Sequence, residues 1–276
     1  METLMTSMMT SQTLSVAATE RATSQLELIH HHLQSQLELG AHTSTVLANN
    51  TSPAPVTLLN IADTLSERCN IQEIRHLLAD IIQSPELLEG IAARSYWHGN
   101  GFLKVVLLDR GYKLRLHIWF QGSACEENIH SHRWGFASHI LTGALKSELW
   151  ADAANEDADT ITATEYRYTA EHKQHLQTIK ATKEALGNAV LAKQQDVTQL
   201  AGSSYIMTED QLHRINHPGQ ELVATIICTA PTEVLTNRLF PTTDHPKLHP
   251  KKLTAAALKD ALTDYLEQIC PVAMAA

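Results

Sequence analysis

Hydrophobic positions change their spacing partway along the chain. Near the start, Leu26, Ile29, Leu33 and Leu37 recur every three or four residues, the stripe of an amphipathic helix. The Asn- and Pro-containing run ANNTSPAPV, residues 48–56, interrupts it. The helical period then returns over residues 59–83 through Ile71, Ile74, Leu77, Leu78, Ile81 and Ile82. Ser84 and Pro85 suit the N-cap and first-turn positions of a further helix, PELLEGIAARS. At the other end, Leu258, Leu262, Tyr265 and Leu266 form one face of a C-terminal helix.

After Tyr96 the period becomes two. GFLKVVLLD, a turn at RGY, and KLRLHIWF read as two strands, the second setting Leu114, Leu116, Ile118 and Phe120 against Lys113, Arg115, His117 and Trp119. The alternation continues through HSHRWGFASHILTGALKSELW, residues 130–150. The acidic stretch ADAANEDADT reads as an exposed loop and ITATEYRYTA as strand, while residues 171–199 admit a strand pair with a long loop. AGSSYIMTE and ELVATIICTAP are again strand-like. Strands without intervening helices from about 100 to 230 predict an antiparallel sandwich or barrel rather than βαβ units.

A chain of 276 residues that is 43% hydrophobic suffices for one large or two small domains with a real core. A formal charge of -9, from 21 Lys+Arg against 30 Asp+Glu, leaves no broad basic surface for a phosphate backbone, so no nucleic-acid partner is expected. The sequence has no apolar run near membrane-span length, and its first twenty residues lack the pattern of a secretory signal, so the expected setting is cytoplasmic, without a membrane partner. Cys69, Cys125, Cys228 and Cys270 form no CxxC pair and read as small buried hydrophobes, with Cys125 able to border a site near His130. The run His30–His32 reads as a solvated helix face. No GxGxxG loop is present.

The chemistry gathers at NIHSHRWGFASHILTG, residues 128–143. On a strand, side chains two apart share a face, so His130 and His132 would project toward one point as half of a metal site. A third imidazole is available in AGSSYIMTEDQLHRINHPG, where a glycine turn, a short strand and a polar turn lead to His213. Strand parity would place Trp134, Phe136 and Ser138 on the face of the two histidines and Arg133 and His139 on the other.

These residues resemble the cupin superfamily, whose first motif pairs HxH with an acidic residue and a later glycine and whose second has a glycine, a turn and one histidine. His130, His132 and Gly143 match the first motif, and Gly202 and His213 the second, over roughly residues 96–235. The acidic ligand is missing: Phe136 or Ala137 occupies its place, and no Asp or Glu stands between His132 and Glu148. This set is similar to the three-histidine cupins, of which cysteine dioxygenase and related thiol dioxygenases are the best-known type. The 81 residues between His132 and His213 exceed the usual cupin gap and suggest an inserted hairpin or lid at about 151–200.

The resemblance implies a mainly β fold, a cupin double-stranded β-helix closed as an antiparallel β-barrel. The expected division is a helical N-terminal region over 1–95, the barrel over 96–245 and a C-terminal helix over 246–276. It further implies a mononuclear non-haem iron oxygenase holding Fe(II) on His130, His132 and His213, with a small anionic substrate and O2 as partners and a homodimer as one possible assembly. Zn, Ni or Cu also suit three imidazoles, which leaves a zinc or nickel isomerase, hydrolase or lyase, or a non-catalytic metabolite-binding cupin, as alternatives. Arg115 has two readings, a surface ion pair or, as in thiol dioxygenases, a fork gripping a substrate carboxylate. Tyr205, on the strand leading to His213, is placed to donate a hydrogen bond to a ligand of the metal, and Tyr96 and His98 are further candidates.

Overall fold

In the computed structural model, which describes residues 2–46, 55–157, 159–171, 180–231, 235–242 and 250–270, the helices come first. They are α1 (Glu2–Val46), α2 (Pro55–Arg68), α3 (Ile71–Gln83) and α4 (Pro85–Ala92). Leu26, Ile29 and Leu33 of α1 are buried, with Leu37 packed beside them, as their spacing predicts. The continuous period over 59–83 conceals a break: Asn70 accepts hydrogen bonds from the backbone N–H of Gln72 and Glu73 and starts α3 as a separate helix. Ser84 does stand before α4, but its side chain accepts the Thr19 hydroxyl at 2.7 Å instead of capping the helix. The C-terminal helix α5 (Ala255–Ile269) is capped by Thr254 and buries Leu258, Leu262 and Tyr265. No described helix is long and apolar enough to cross a membrane.

Fourteen strands follow α4 among the described residues: β1 (Tyr96–Trp97), β2 (Leu103–Asp109), β3 (Lys113–Trp119), β4 (Cys125–Glu126), β5 (Ile129–His130), β6 (Phe136–Thr142), β7 (Ala144–Asp152), β8 (Thr160–Glu171), β9 (Lys180–Leu200), β10 (Ser204–Met207), β11 (Leu212–His217), β12 (Val223–Thr229), β13 (Thr236–Phe240) and β14 (Lys251–Lys252). Of the ambiguous segment 171–199, residues 180–199 belong to β9, which pairs with both β8 and β7, and residues 172–179 lie outside the described ones.

The strands make two antiparallel sheets, ordered β10-β6-β12-β3-β2-β1-β14 and β4-β11-β5-β13-β8-β9-β7, the second with an added β11–β7 pairing. This corrects the expected closed β-barrel. Among the described residues no strand of one sheet pairs with a strand of the other. The physical reason lies in the crossings: the chain passes between sheets in unpaired turns, as at residues 131–135 between β5 and β6, so hydrogen bonding does not run around a ring. Two facing antiparallel sheets with flanking helices are consistent with a cupin jelly roll.

The two faces of the first sheet differ sharply. Leu114, Leu116 and Ile118 of β3, Leu103 and Val105 of β2, Ala224 and Ile226 of β12 and Ala137 and Leu141 of β6 join residues of all five helices in one apolar cluster. The helices thus bury the outer face of this sheet, and its inner face looks toward the second sheet.

Candidate metal centre

His130 ends β5 in the second sheet, and His132 lies two residues on, in the unpaired crossing before β6. The expected single strand through both histidines is therefore absent. The crossing is nevertheless fixed: Ser131 and Arg238 exchange backbone contact, Ser131 N–H to Arg238 carbonyl at 3.0 Å, and His132 N–H donates to the Glu209 carbonyl at 3.1 Å. Arg238 itself is clamped by Asp152 and Glu165. His213 comes from β11, directly opposite His130 in the ladder. On the other face of β11, Arg214 forks onto Glu148 of β7 at 2.7 and 3.1 Å and reaches Glu126 of β4, which fastens the strand carrying His213.

The three imidazoles converge. Ring centroids are 4.8 Å apart for His130 and His132, 4.7 Å for His130 and His213, and 4.9 Å for His132 and His213. One ligand atom from each lies within 4.8 Å of the others, and no carboxylate belongs to the group. His130 Nδ1 pairs with the Asn128 carbonyl at 2.8 Å and His213 Nδ1 with the Gln211 carbonyl at 3.2 Å. A carbonyl accepts only, so each Nδ1 carries the proton and each Nε2 keeps a lone pair for a metal. Burial, with the adjacent His130 and His213 rings, holds His132 well below the ordinary histidine range, and burial with His130 lowers His213 to about 3.

The Nε2 atoms of His132 and His213 stand 3.2 Å apart. Two nitrogens bound at about 2.1 Å to one ion would be separated by about 3.0 Å at right angles and about 3.4 Å in a tetrahedron. The donor set therefore fits a divalent metal in number and spacing, and in tautomer at His130 and His213.

The cluster opens on a cavity of about 420 Å³ between the sheets. Trp134 stacks on His132 at 5.7 Å, and Phe136 meets the same ring edge-on at 5.3 Å, so both walls predicted from the sequence are in place. Arg133, expected to point away, also lines the cavity, with its guanidinium 5.0 Å from the Trp134 ring. It lies in the unpaired crossing, where alternation does not apply. His139 is turned from the cavity and buried, bonded to Ser204 at 2.8 Å.

Arg115 is a cavity residue and not a surface ion pair. It lines the wall with its guanidinium 5.2 Å from the Trp134 ring, and its buried Nε has no partner. Tyr205 lines it from β10, opposite Ser138 of β6. Burial raises the Tyr205 phenol to about 12, so it is an O–H donor at neutral pH. His98 is also a lining residue, whereas Tyr96 and Cys125 lie outside the lining. His30 is bonded to Tyr112 at 2.9 Å, away from this site.

Sequence reasoning missed Lys104, His117, Trp119 and Glu127, all of which line the cavity. Signals existed for three: Lys104 interrupts an apolar strand, and His117 and Trp119 share the alternation of Arg115. Glu127 lies between two short strands and carried no local signal.

No family profile and no curated protein matches the chain. Among solved structures it is similar to a hydroquinone 1,2-dioxygenase from Sphingomonas sp. TTNP3 with 4-hydroxybenzoate bound, at 12% identity over 48% of this chain and 66% of that one, TM-score 0.28. It is also similar to a cupin-like protein from Thermotoga maritima, at 8% identity over 47% and 68%, TM-score 0.27, and to a structure of DMSP lyases, at 8% over 76% and 93%, TM-score 0.31. The chain thus spans just under two thirds of the hydroquinone dioxygenase chain. Scores of this size carry no argument, and the functional reading rests on the site itself.

Proposed function

We propose that the chain is a metal-dependent enzyme, a mononuclear non-haem iron oxygenase that takes a small anionic substrate and O2. The observation that supports it is the convergence of three imidazoles on a buried cavity without a carboxylate among them, two of the rings, His130 and His213, held by backbone carbonyls in the tautomer that leaves Nε2 free. His130, His132 and His213 hold the ion through Nε2. Three neutral ligands leave a divalent ion its full charge, and Fe(II) in such a setting supplies Lewis acidity toward an anionic chelator and one-electron redox chemistry toward O2.

The chain's own residues do the rest. Arg115 grips a substrate carboxylate near Trp134, where burial makes its hydrogen bonds strong. Tyr205 donates its O–H to the substrate and is held in place against Phe136, the ring centroids 5.9 Å apart. Trp134 and Phe136 exclude water from the side of the cluster they cover.

Metal analysis of anaerobically purified protein, combined with O2 uptake against thiols, diketones and amino acids, tests this reading. Iron near one per chain with substrate-dependent uptake is the expected result, and turnover without O2 consumption defeats it. A second reading, a zinc- or nickel-dependent isomerase, hydrolase or lyase, draws support from Glu127 and Lys104 in the same cavity. These two groups can move protons without any redox change. Turnover by the zinc form in the absence of O2 would select it.

A further inference from the structure

Another wall of the same cavity carries polar groups that the metal centre does not use. The β2–β3 ladder sets Lys104 opposite His117, and the β12–β3 ladder sets Thr225 on the other side of His117. Trp119 is two residues further along β3 on the same face. His117 Nε2, Trp119 Nε1 and Thr225 Oγ1 are all buried and lack a hydrogen-bond partner, His117 and Trp119 being only 9% and 2% exposed. Leaving such a group unsatisfied is costly, and folded proteins seldom tolerate several together. Of the three, His117 and Trp119 line the cavity, where a ligand can satisfy them. Phe102 supplies a ring surface beside them, with centroids 4.9 Å from His117 and 4.8 Å from Trp119 and the Lys104 Nζ 5.6 Å from its own.

The charges of the cavity agree. Among its described lining residues the cations are Lys104, Arg115 and Arg133, and the only carboxylate is Glu127. Glu127 is already engaged, accepting Asn100 Nδ2 at 2.6 Å and the Ile215 N–H at 3.4 Å. A divalent ion on three neutral histidines adds to this surplus. One monoanion cannot balance it. The strain is visible at Lys104, whose amine is lowered to about 7 by burial and by Arg115, against the pull of Glu127.

We propose that the ligand of this cavity is a dianion with an acidic group at each end, one chelating the metal and the other, a carboxylate, seated on Lys104, His117 and Trp119. Arg115, two ring contacts from His132 through Trp134, serves the metal-side end, and the Lys104 wall selects for the second charge. The inference rests on the metal-centre reading, since it takes the chelating end as given.

The test is calorimetry on the zinc-loaded full chain, which needs no turnover. Malate, 2-hydroxyglutarate and 2-hydroxyadipate are compared with the 2-hydroxy monocarboxylic acids of the same carbon number, which share the chelating end and lack the second carboxylate. At least one diacid is expected to bind about tenfold or more tighter than its monoacid. Lys104→Met and Trp119→Phe should each bring that diacid toward the monoacid's affinity and leave the monoacid unchanged. Equal affinity, no diacid binding, or a gap that survives both substitutions overturns the inference while zinc retention keeps the metal centre. A parent chain that does not hold zinc overturns both.

Discussion

His132 and His213 aim their Nε2 atoms at each other across 3.2 Å, one from the crossing between the sheets and one from β11. The backbone bond on His213 Nδ1 leaves its Nε2 as an acceptor, so the contact is either a hydrogen bond from a His132 Nε2–H or, with that proton displaced, a pair of lone pairs directed at one cation. Replacing His130, His132 or His213 with Ala is therefore expected to weaken zinc or iron binding by about 100-fold or more and to abolish the metal-dependent rise in Tm. Chelator competition measures the first effect and thermal unfolding the second. His139→Ala, turned from the cavity, should bind metal like the parent.

Phe136 stands where a carboxylate ligand would be expected, its ring 5.3 Å from His132 and 6.3 Å from His213. Phe136→Glu is expected to retain the metal, lower the charge at the centre and reduce activity. Metal content and turnover are measured on one preparation. Full activity with the glutamate in place would show that position 136 has no bearing on the ion.

For Arg115, the expected signature is in substrate binding. Arg115→Met should raise KM by roughly 10- to 100-fold, the loss of about 1.5–3 kcal/mol from charge-assisted hydrogen bonds, with a smaller change in kcat. Arg115→Lys should not restore it, because an ammonium lacks the two-pronged geometry. An unchanged KM would return Arg115 to a structural role.

The amine of Lys104 faces Arg115 and His117 on β3, the Tyr96 ring on β1 and the Glu127 carboxylate, and burial sets it at about 7. In the unfolded chain it titrates near 10.5. Between those values the unfolded state holds the extra proton, so the Lys104 penalty is absent above about pH 10.5, grows as pH falls, and is complete below about 7. In metal-free protein, Lys104→Met should raise stability at pH 7, by on the order of 1 kcal/mol or more, with the gain shrinking toward pH 10. Denaturant titrations at several pH values read it out, and a gain independent of pH would contradict the assignment.

Gly143 turns the chain from β6 into β7 at φ +72°, and a Cβ there would meet the Leu222 carbonyl and Val223 Cγ2, the latter at 2.8 Å. Gly143→Ala combines left-handed strain with a backbone clash. A loss of roughly 2–4 kcal/mol is expected, seen as a lower denaturation midpoint. Gly122→Ala, also at positive φ but with open space around it, should cost less.

Much of this was legible beforehand because local pattern reports local geometry. The apolar stripes of α1 and α5 and the alternation of β3 survive intact in the structure, and the imidazoles of His130, His132 and His213 do converge. What alternation cannot tell is which side of a strand meets which partner. Leu114, Leu116 and Ile118 lie against helices, so the face carrying Arg115, His117 and Trp119 turned inward. The HSH spacing likewise fits a strand or a turn, and here the chain leaves the ladder at His130. Whether two sheets share hydrogen bonds depends on pairing between distant segments, which no short window records.

The two sides of β3 give the protein a freedom that a strand with one working face lacks. Leu114, Leu116 and Ile118 are fully buried on the helix side and hold the fold, while Arg115, His117 and Trp119 line the ligand cavity, Trp119 packing also into the small apolar cluster around Phe102. Exchanging Arg115 or His117 leaves the helix packing untouched, and removing their unsatisfied polar atoms relieves the folded state. Substrate preference can therefore drift by substitution at Arg115 and His117 without disturbing the helix side of the sheet, whereas Trp119 also carries packing of its own. The even-numbered positions, which belong to the cluster shared with all five helices, are the ones that substitution would unravel.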